Sequence, residues 1–271
     1  MLKTNTPLFF CLVALCGSVH SQTVPLLGDP QSDAALTIKV GDGTISGKRM
    51  EPNEMAWSAT AYPEKGAPIH AGIWTTQVRQ LEVDGRKALV RTASAVVFGH
   101  APPNLKIRGY NGFVTVVDAD TLAPIWSEHR NIDGSSSKWT MNGVHVEQRE
   151  VGAEPGAKEV VHEFDTPVPA YDFEGPLFPF YLKALPLKLG FSGVIPIIGD
   201  QDHPLRGVPF KVVRRARVQA GSRGMVDAWV VECPDPTTGT LQFWFSDKFS
   251  FPIRMVIPAT PGTRKTVYEM I

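Results

Sequence analysis

Apolar and polar residues alternate over short stretches through most of this chain, with the period of a half-buried β-strand. The stretches are 36–40, 72–81, 88–98, 112–117, 122–129, 137–141, 144–150 and 158–164. Turn-forming residues separate them, among them Gly41-Asp42-Gly43, Asp84-Gly85, Asp133-Gly134 and Asn142-Gly143. Asn-Gly readily takes the left-handed backbone angles of a tight turn, so 139–146 is expected to be a hairpin. Alternation resumes at 189–198, 208–219, 225–232, 240–246, 253–257 and 265–270. Within 208–219, Val208, Phe210 and Val212 face one way while Lys211, Arg215 and Arg217 face the other. That is the wet-and-dry pattern of an antiparallel sheet. The stretch 50–68 carries three prolines and reads as a long loop, which leaves Trp57 to pack somewhere.

One segment breaks the β rhythm. In 172–186, Leu177, Phe180, Tyr181, Ala184 and Leu185 fall at i, i+3, i+4, i+7 and i+8, the stripe of an amphipathic helix. Pro176 suits its first turn and Pro186 stops it, while Pro179 makes it short or bent. The strands therefore fall into two sets, a meander on either side of a helix. Long antiparallel strands twist and curl. A curled sheet that does not close leaves a concave apolar face, and a short helix is a natural cover for it. The expected fold is mainly β: an antiparallel open half-barrel of two meanders with one short helix packed on the concave face.

The motif residues in the second half are Asp172, then Phe180-Tyr181-Leu182-Lys183-Ala184-Leu185-Pro186-Leu187 with Gly190. Further on come Gly239-Thr240-Leu241-Gln242-Phe243-Trp244-Phe245-Ser246-Asp247 and Pro252-Ile253-Arg254. In these the chain resembles an uncharacterised family of bacterial exported β-proteins, similar in shape to the lipoprotein-localisation carriers. The resemblance covers the second half well and the first half only by strand rhythm. It brings no catalytic residues. It implies binding of an apolar ligand, because the half-barrel relatives bind acyl chains.

The N-terminus reads as an export signal. Lys3 is followed by an apolar run from position 7 to 16, then by small residues and Val19-His20-Ser21. This is the layout of a secretory signal peptide. The run is about half of the ~20 residues that span a bilayer, so cleavage rather than anchoring is expected. Cys16 raises lipid attachment as an alternative, but Leu15 before it is not small, and cleavage after Ser21 fits better. The expected organisation is a signal peptide at 1–21, a loosely held arm at 22–34, and one β-rich domain at 35–271. No transmembrane segment is expected after cleavage, and the destination is the periplasm or the exterior.

Composition narrows the function. The chain has 27 basic and 27 acidic residues, and the leader removes only one base. A near-neutral chain offers no electrostatic case for nucleic acid. Of three cysteines, two leave with the leader, so Cys233 has no internal disulfide partner. Stability must come from a core, which a chain of about 250 residues is long enough to build.

The candidate chemistry is sparse. The loop Gly199-Asp200-Gln201-Asp202-His203 offers two carboxylates and an imidazole, too few by itself for calcium or zinc, and reads as a solvated turn. Cys233 has no visible base beside it and reads as buried. No Gly-x-Ser-x-Gly or His-Glu-x-x-His motif occurs, and Asp247 reads as a turn former. Arg214, Arg215 and Arg217 read as a solvated strand face, with phosphate head groups the alternative partner. The tryptophans read first as core and second as lining for an apolar groove. The groove candidates are Leu177, Phe180, Tyr181, Ala184, Leu185, Trp229 and Trp244. No cofactor, metal or catalytic residue is expected. The favoured reading is a non-enzymatic envelope protein that binds a lipid, another apolar molecule or a protein partner. The alternative is an envelope hydrolase whose active site the sequence does not reveal.

Overall fold

A computed structural model describes residues 37–98, 107–172, 178–199, 201–235, 239–260 and 263–271. Within them, fourteen strands form one antiparallel sheet. The first meander is β1 (Asn53–Pro63), β2 (Ile69–Val83), β3 (Arg86–Phe98), β4 (Ile107–Asp118), β5 (Pro124–Arg130), β6 (Ser136–Asn142), β7 (His145–Val151) and β8 (Glu159–Asp165). The second is β9 (Ser192–Ile198), β10 (Leu205–Gln219), β11 (Met225–Asp235), β12 (Gly239–Phe245), β13 (Arg254–Thr260) and β14 (Thr263–Met270). The spatial order runs from β8 to β1, then from β14 back to β9. The chain thus folds as the expected open, mainly β sheet of two meanders. The leader, the arm and Cys16 lie outside the described residues.

Strand β1 corrects the sequence reading, which made 50–68 a loop. Pro52 and Pro68 stand just outside strands, and Pro63 sits at the end of β1 beside a register shift. Between them Met55, Trp57, Ala59 and Ala61 alternate into the core. β1 pairs with β2 on one side and β14 on the other, so it joins the two meanders. A second correction concerns 36–40. Leu36 lies outside the described residues, and Thr37 makes one isolated parallel bridge to Val194. The chain then turns away, because Asp42 accepts hydrogen bonds from the Lys39 and Thr44 N–H groups.

Two hairpins show the turn chemistry at work. Asp84 and Gly85 both have positive φ, as a two-residue primed turn requires. The expected hairpin at 139–146 forms, but its central residues are Gly143 and Val144, since Asn142 pairs with His145. Gly143, at φ +67°, supplies the left-handed position.

Helix α1 (Phe178–Lys183) is six residues long, shorter than the 172–186 expected. Residues 173–177, Leu177 among them, lie outside the described residues. Asp172 follows an extended bridge between Tyr171 and Ile197 on the outer side of β9. After Lys183 the chain leaves the helix in a turn. Phe180, Tyr181, Leu182, Ala184 and Leu185 are all buried in the main core with residues of both meanders. A segment that is apolar except for Lys183 at its end belongs inside a protein, and Lys183 is buried with it. Its end is tied down where the Ala184 carbonyl accepts from the Ser46 N–H at 3.2 Å and Arg49 Nη1 at 2.8 Å.

The two ends of the sheet approach each other through side chains. Trp139, Met141 and Val146 of β6 and β7 pack with Ala170 and Ile198 in a second core, with Phe164 and Leu205 against it. Ladder hydrogen bonds do not join β8 to β9, so the barrel stays open along that seam. The outer side of β9 is satisfied instead by Ile38 and Tyr171, whose N–H groups donate to Val194 and Pro196. A sheet edge without such pairing is a template for unwanted association.

Candidate functional site

The inward row of β3 reads Leu89, Arg91, Ala93, Ala95, and all four are buried. Arg91 is therefore a cation in an apolar row, 3 % exposed. Its Nε donates to Thr76 Oγ1 at 3.1 Å, and its guanidinium carbon lies 4.9 Å from the centre of the Phe251 ring. Its Nη1 is buried without a hydrogen-bond partner. Burial pushes the guanidinium down to about 9, and Tyr181 and Asp172 act against that shift. Arg91 stays protonated at neutral pH, and a buried cation strengthens every acceptor brought to it.

A cavity of about 20 Å³ lies beside this group. Trp57, Trp74, Arg91, Phe251 and Tyr268 line it, together with Pro179 of α1. Trp74 stands edge-on to Tyr268 at 6.0 Å, and Trp57 edge-on to Phe251 at the same distance. The volume is room for about one water. Tyr181 of α1, near enough to Arg91 to act on its charge, packs against Tyr171 with ring centres 4.7 Å apart. Burial, then the neighbouring Asp172, pushes the Tyr181 phenol well above its usual range.

Polar side chains continue from Arg91 across the inner face. Arg91 on β3 is directly opposite Thr115 on β4, Thr115 opposite Ser127 on β5, and Ser127 opposite Trp139 on β6. All four are buried. Ser127 Oγ and Trp139 Nε1, like Arg91 Nη1, have no hydrogen-bond partner. Next to this row Phe113 stacks on the buried His129 ring at 4.1 Å. Buried polar atoms are normally paired, so a run of orphans marks a place that water or a ligand completes.

The structure divides the groove candidates. Phe180, Tyr181, Ala184 and Leu185 come together beneath the sheet. Trp229 and Trp244 do not line the cavity beneath α1. Trp244 is buried between the guanidinium groups of Arg214, at 6.0 Å, and Arg254, at 5.3 Å, while Arg215 lies 4.7 Å over Trp229. Asp200 lies outside the described residues, which leaves the 199–203 loop incomplete. Among the described residues no group of three or more His, Cys, Asp or Glu gathers closely enough to hold a metal ion. Cys233 is buried, and burial raises its thiol well above the usual range, the setting of an inert cysteine.

Among the described residues, nucleophile-and-base geometry appears on the outward side of β1, where Ser58 Oγ lies 3.0 Å from His70 Nε2. His70 is exposed, and among the described residues no carboxylate orients its other nitrogen. Arg91, Thr115 and Ser127 were not singled out from the sequence. The signal was there for Arg91: it keeps phase with Leu89 and Ala93 on the apolar side of an alternating strand.

Comparison with known proteins agrees with this fold. The family described as "Protein of unknown function (DUF3108)" matches residues 54–269. The chain belongs to that family. The match begins in β1 and ends in β14, so this DUF3108 sheet is the family's own unit, joined through its first and last strands. The chain is also similar to the crystal structure of a β-barrel-like protein of domain of unknown function DUF1849 from Brucella abortus. That likeness has a TM-score of 0.54 and 9 % identity, over 82 % of this chain and 97 % of the other. At such identity it speaks for the fold alone. No curated protein matches the chain. Among the described residues no helix is long and apolar enough to cross a membrane.

Proposed function

We propose that this DUF3108 protein is exported across a bacterial inner membrane, is cleaved near Ser21, and works in the envelope as a non-enzymatic carrier. Its guest is a lipid or another apolar molecule, held on the inner face of the open sheet. The observation that carries this reading is α1, a six-residue helix whose side chains are buried in the main core among residues of both meanders. Phe180, Tyr181, Leu182 and Leu185 bury apolar surface there that a guest's chain would bury equally well. After the helix, the Ala184 carbonyl accepts from the Ser46 N–H and Arg49 Nη1 and ties that end down. The seam between β8 and β9 has no ladder to break before the barrel widens.

The test is native mass spectrometry of the protein purified from its own envelope, followed by titration with a fluorescent fatty-acid probe. The expected result is a co-purifying lipid, and probe binding with a negative heat-capacity change, the marker of apolar burial. Absence of both overturns the carrier reading. The hydrolase alternative rests on the Ser58–His70 contact, which is exposed and, among the described residues, has no orienting carboxylate. It is supported instead if lipid incubated with the protein is recovered cleaved and Ser58→Ala abolishes the cleavage.

A further inference from the structure

We propose that the guest of this site is an amphiphile with an anionic, oxygen-rich head, received by Arg91 and the row of donors beside it. The proposal rests on the carrier reading and adds the chemistry of the head. Three orphaned atoms lie in one transverse row of the sheet: Arg91 Nη1, Ser127 Oγ and Trp139 Nε1. The pairing that places them is Arg91–Thr115–Ser127–Trp139, across β3 to β6. Directly opposite residues share a face. The Arg91 face is the inner one, because Arg91 lines a cavity together with Pro179 of α1.

All three atoms donate hydrogen bonds: a guanidinium N–H, a hydroxyl and an indole N–H. An indole nitrogen cannot accept, and a guanidinium cannot accept. Arg91 and Trp139 can only donate, and the Ser127 hydroxyl is the one orphaned atom of the row that can also accept, so the row favours a guest that brings acceptors, which a purely apolar guest does not. Strands are spaced about 4.8 Å apart, so the row spans roughly 14 Å, enough for a head group with several oxygens. A carboxylate or a phosphate ester supplies both the acceptors and the countercharge. The aromatic walls beside Arg91, Trp57, Trp74 and Phe251, exclude water and suit the start of an acyl chain.

The cavity has room for about one water, so Pro179, which lines it, must move for the head to enter. Asp172 lies close enough to act on the charge of Arg91. Asp172 and the anionic head therefore compete for the same guanidinium.

The experiment displaces a fluorescent apolar probe from the purified protein with hexadecanoate or with methyl hexadecanoate. The two share a chain and an acceptor oxygen, but only the first carries charge. The acid is expected to bind at least about tenfold tighter, as a charge-assisted bond to a buried cation implies. Arg91→Met should bind both at the level of the ester, and Arg91→Lys should recover part of the preference. Equal binding of acid and ester to the native protein overturns the head-group proposal and leaves the carrier reading standing. Failure of both to displace the probe, or of the probe to bind, overturns the carrier reading and this proposal with it. If Arg91→Met does not fold, Ser127→Ala decides. A narrowed acid preference supports the row as the receiving site, and an unchanged preference overturns it.

Discussion

Trp57 Nε1 donates a hydrogen bond of 2.8 Å to the carbonyl of Pro252, and both groups are buried. Trp57 belongs to β1, where the two meanders meet, and Pro252 to the loop between β12 and β13. The bond thus ties the joint of the sheet to the loop that carries Phe251 over Arg91. Trp57→Phe keeps most of the ring but leaves the Pro252 carbonyl buried and unpaired. The expected loss is about 1–3 kcal/mol in urea unfolding. A change within about 0.5 kcal/mol, the level of an ordinary surface substitution, would mean that water replaces the indole.

Leu185 follows α1 and is 1 % exposed in the main core. Leu185→Ala removes buried methyl groups and leaves a cavity, at an expected cost of ~2–5 kcal/mol. If the carrier reading holds, the enlarged interior should bind an apolar probe no worse than the native protein does. Stability and binding then part company, which a purely structural role for α1 does not produce.

How much of this was readable in the sequence follows from which interactions are local. Most strands from β2 to β8 and from β9 to β14 carry an apolar–polar alternation between Gly-, Asp- and Asn-bearing turns, so their existence followed from pattern, although β8, β9 and β12 alternate only in part. The helix was readable from the spacing of Phe180, Tyr181, Ala184 and Leu185, although its length was overstated. β1 was missed because Pro52, Pro63 and Pro68 outweighed the alternation of Met55, Trp57, Ala59 and Ala61. Those prolines lie at or beyond its ends, where a missing N–H costs nothing to the ladder. The donor row at Arg91, Ser127 and Trp139 depends on register between strands, which no single strand reveals. The partners of Trp244 were hidden for the same reason: Arg214 and Arg254 lie on different strands.

Gly47 shows a packing constraint that its backbone angles do not. A Cβ added there would lie 1.8 Å from the carbonyl oxygen of Ala119. The Gly47 N–H also donates to the Asp120 carbonyl at 2.8 Å. Gly47→Ala must push the turn at 47–49 away from the β4–β5 connection, and the 44–50 segment holds the end of α1 through Ser46 and Arg49. The expected cost is roughly 1–3 kcal/mol, as for other overpacked sites. Faster hydrogen exchange at the Ser46 N–H should accompany it. Native exchange there would show that the strain is absorbed locally.

Export is tested at the N-terminus. If the leader is removed as proposed, sequencing of the protein from a periplasmic fraction begins at Gln22 or within a residue or two of it. A chain that begins at Cys16 and carries lipid would overturn cleavage at Ser21 and place the carrier on a membrane surface.

Acid sensitivity should arise at the turns. Burial pulls the Asp118 carboxyl upward, but hydrogen bonds from the Thr121 N–H and hydroxyl and the Asp120 N–H, with Arg86 nearby, hold it below the usual 3.8. Hydrogen bonds from the Ser135 hydroxyl and N–H hold Asp133 below the same value. A carboxylate with a lowered folded pKa adds stability that is complete above the unfolded pKa and is lost as the pH falls through the folded one. Stability from these turns should therefore be full near neutrality and decline below 3.8. Asp118→Asn removes the charge that the Thr121 N–H and hydroxyl contact, so the variant should be less stable than the native protein near neutral pH. The gap between the two should narrow as acid protonates Asp118 in the native chain. Urea unfolding at a series of pH values reads this directly, and a gap that stays constant into acid would show that the turn does not depend on the charge of Asp118.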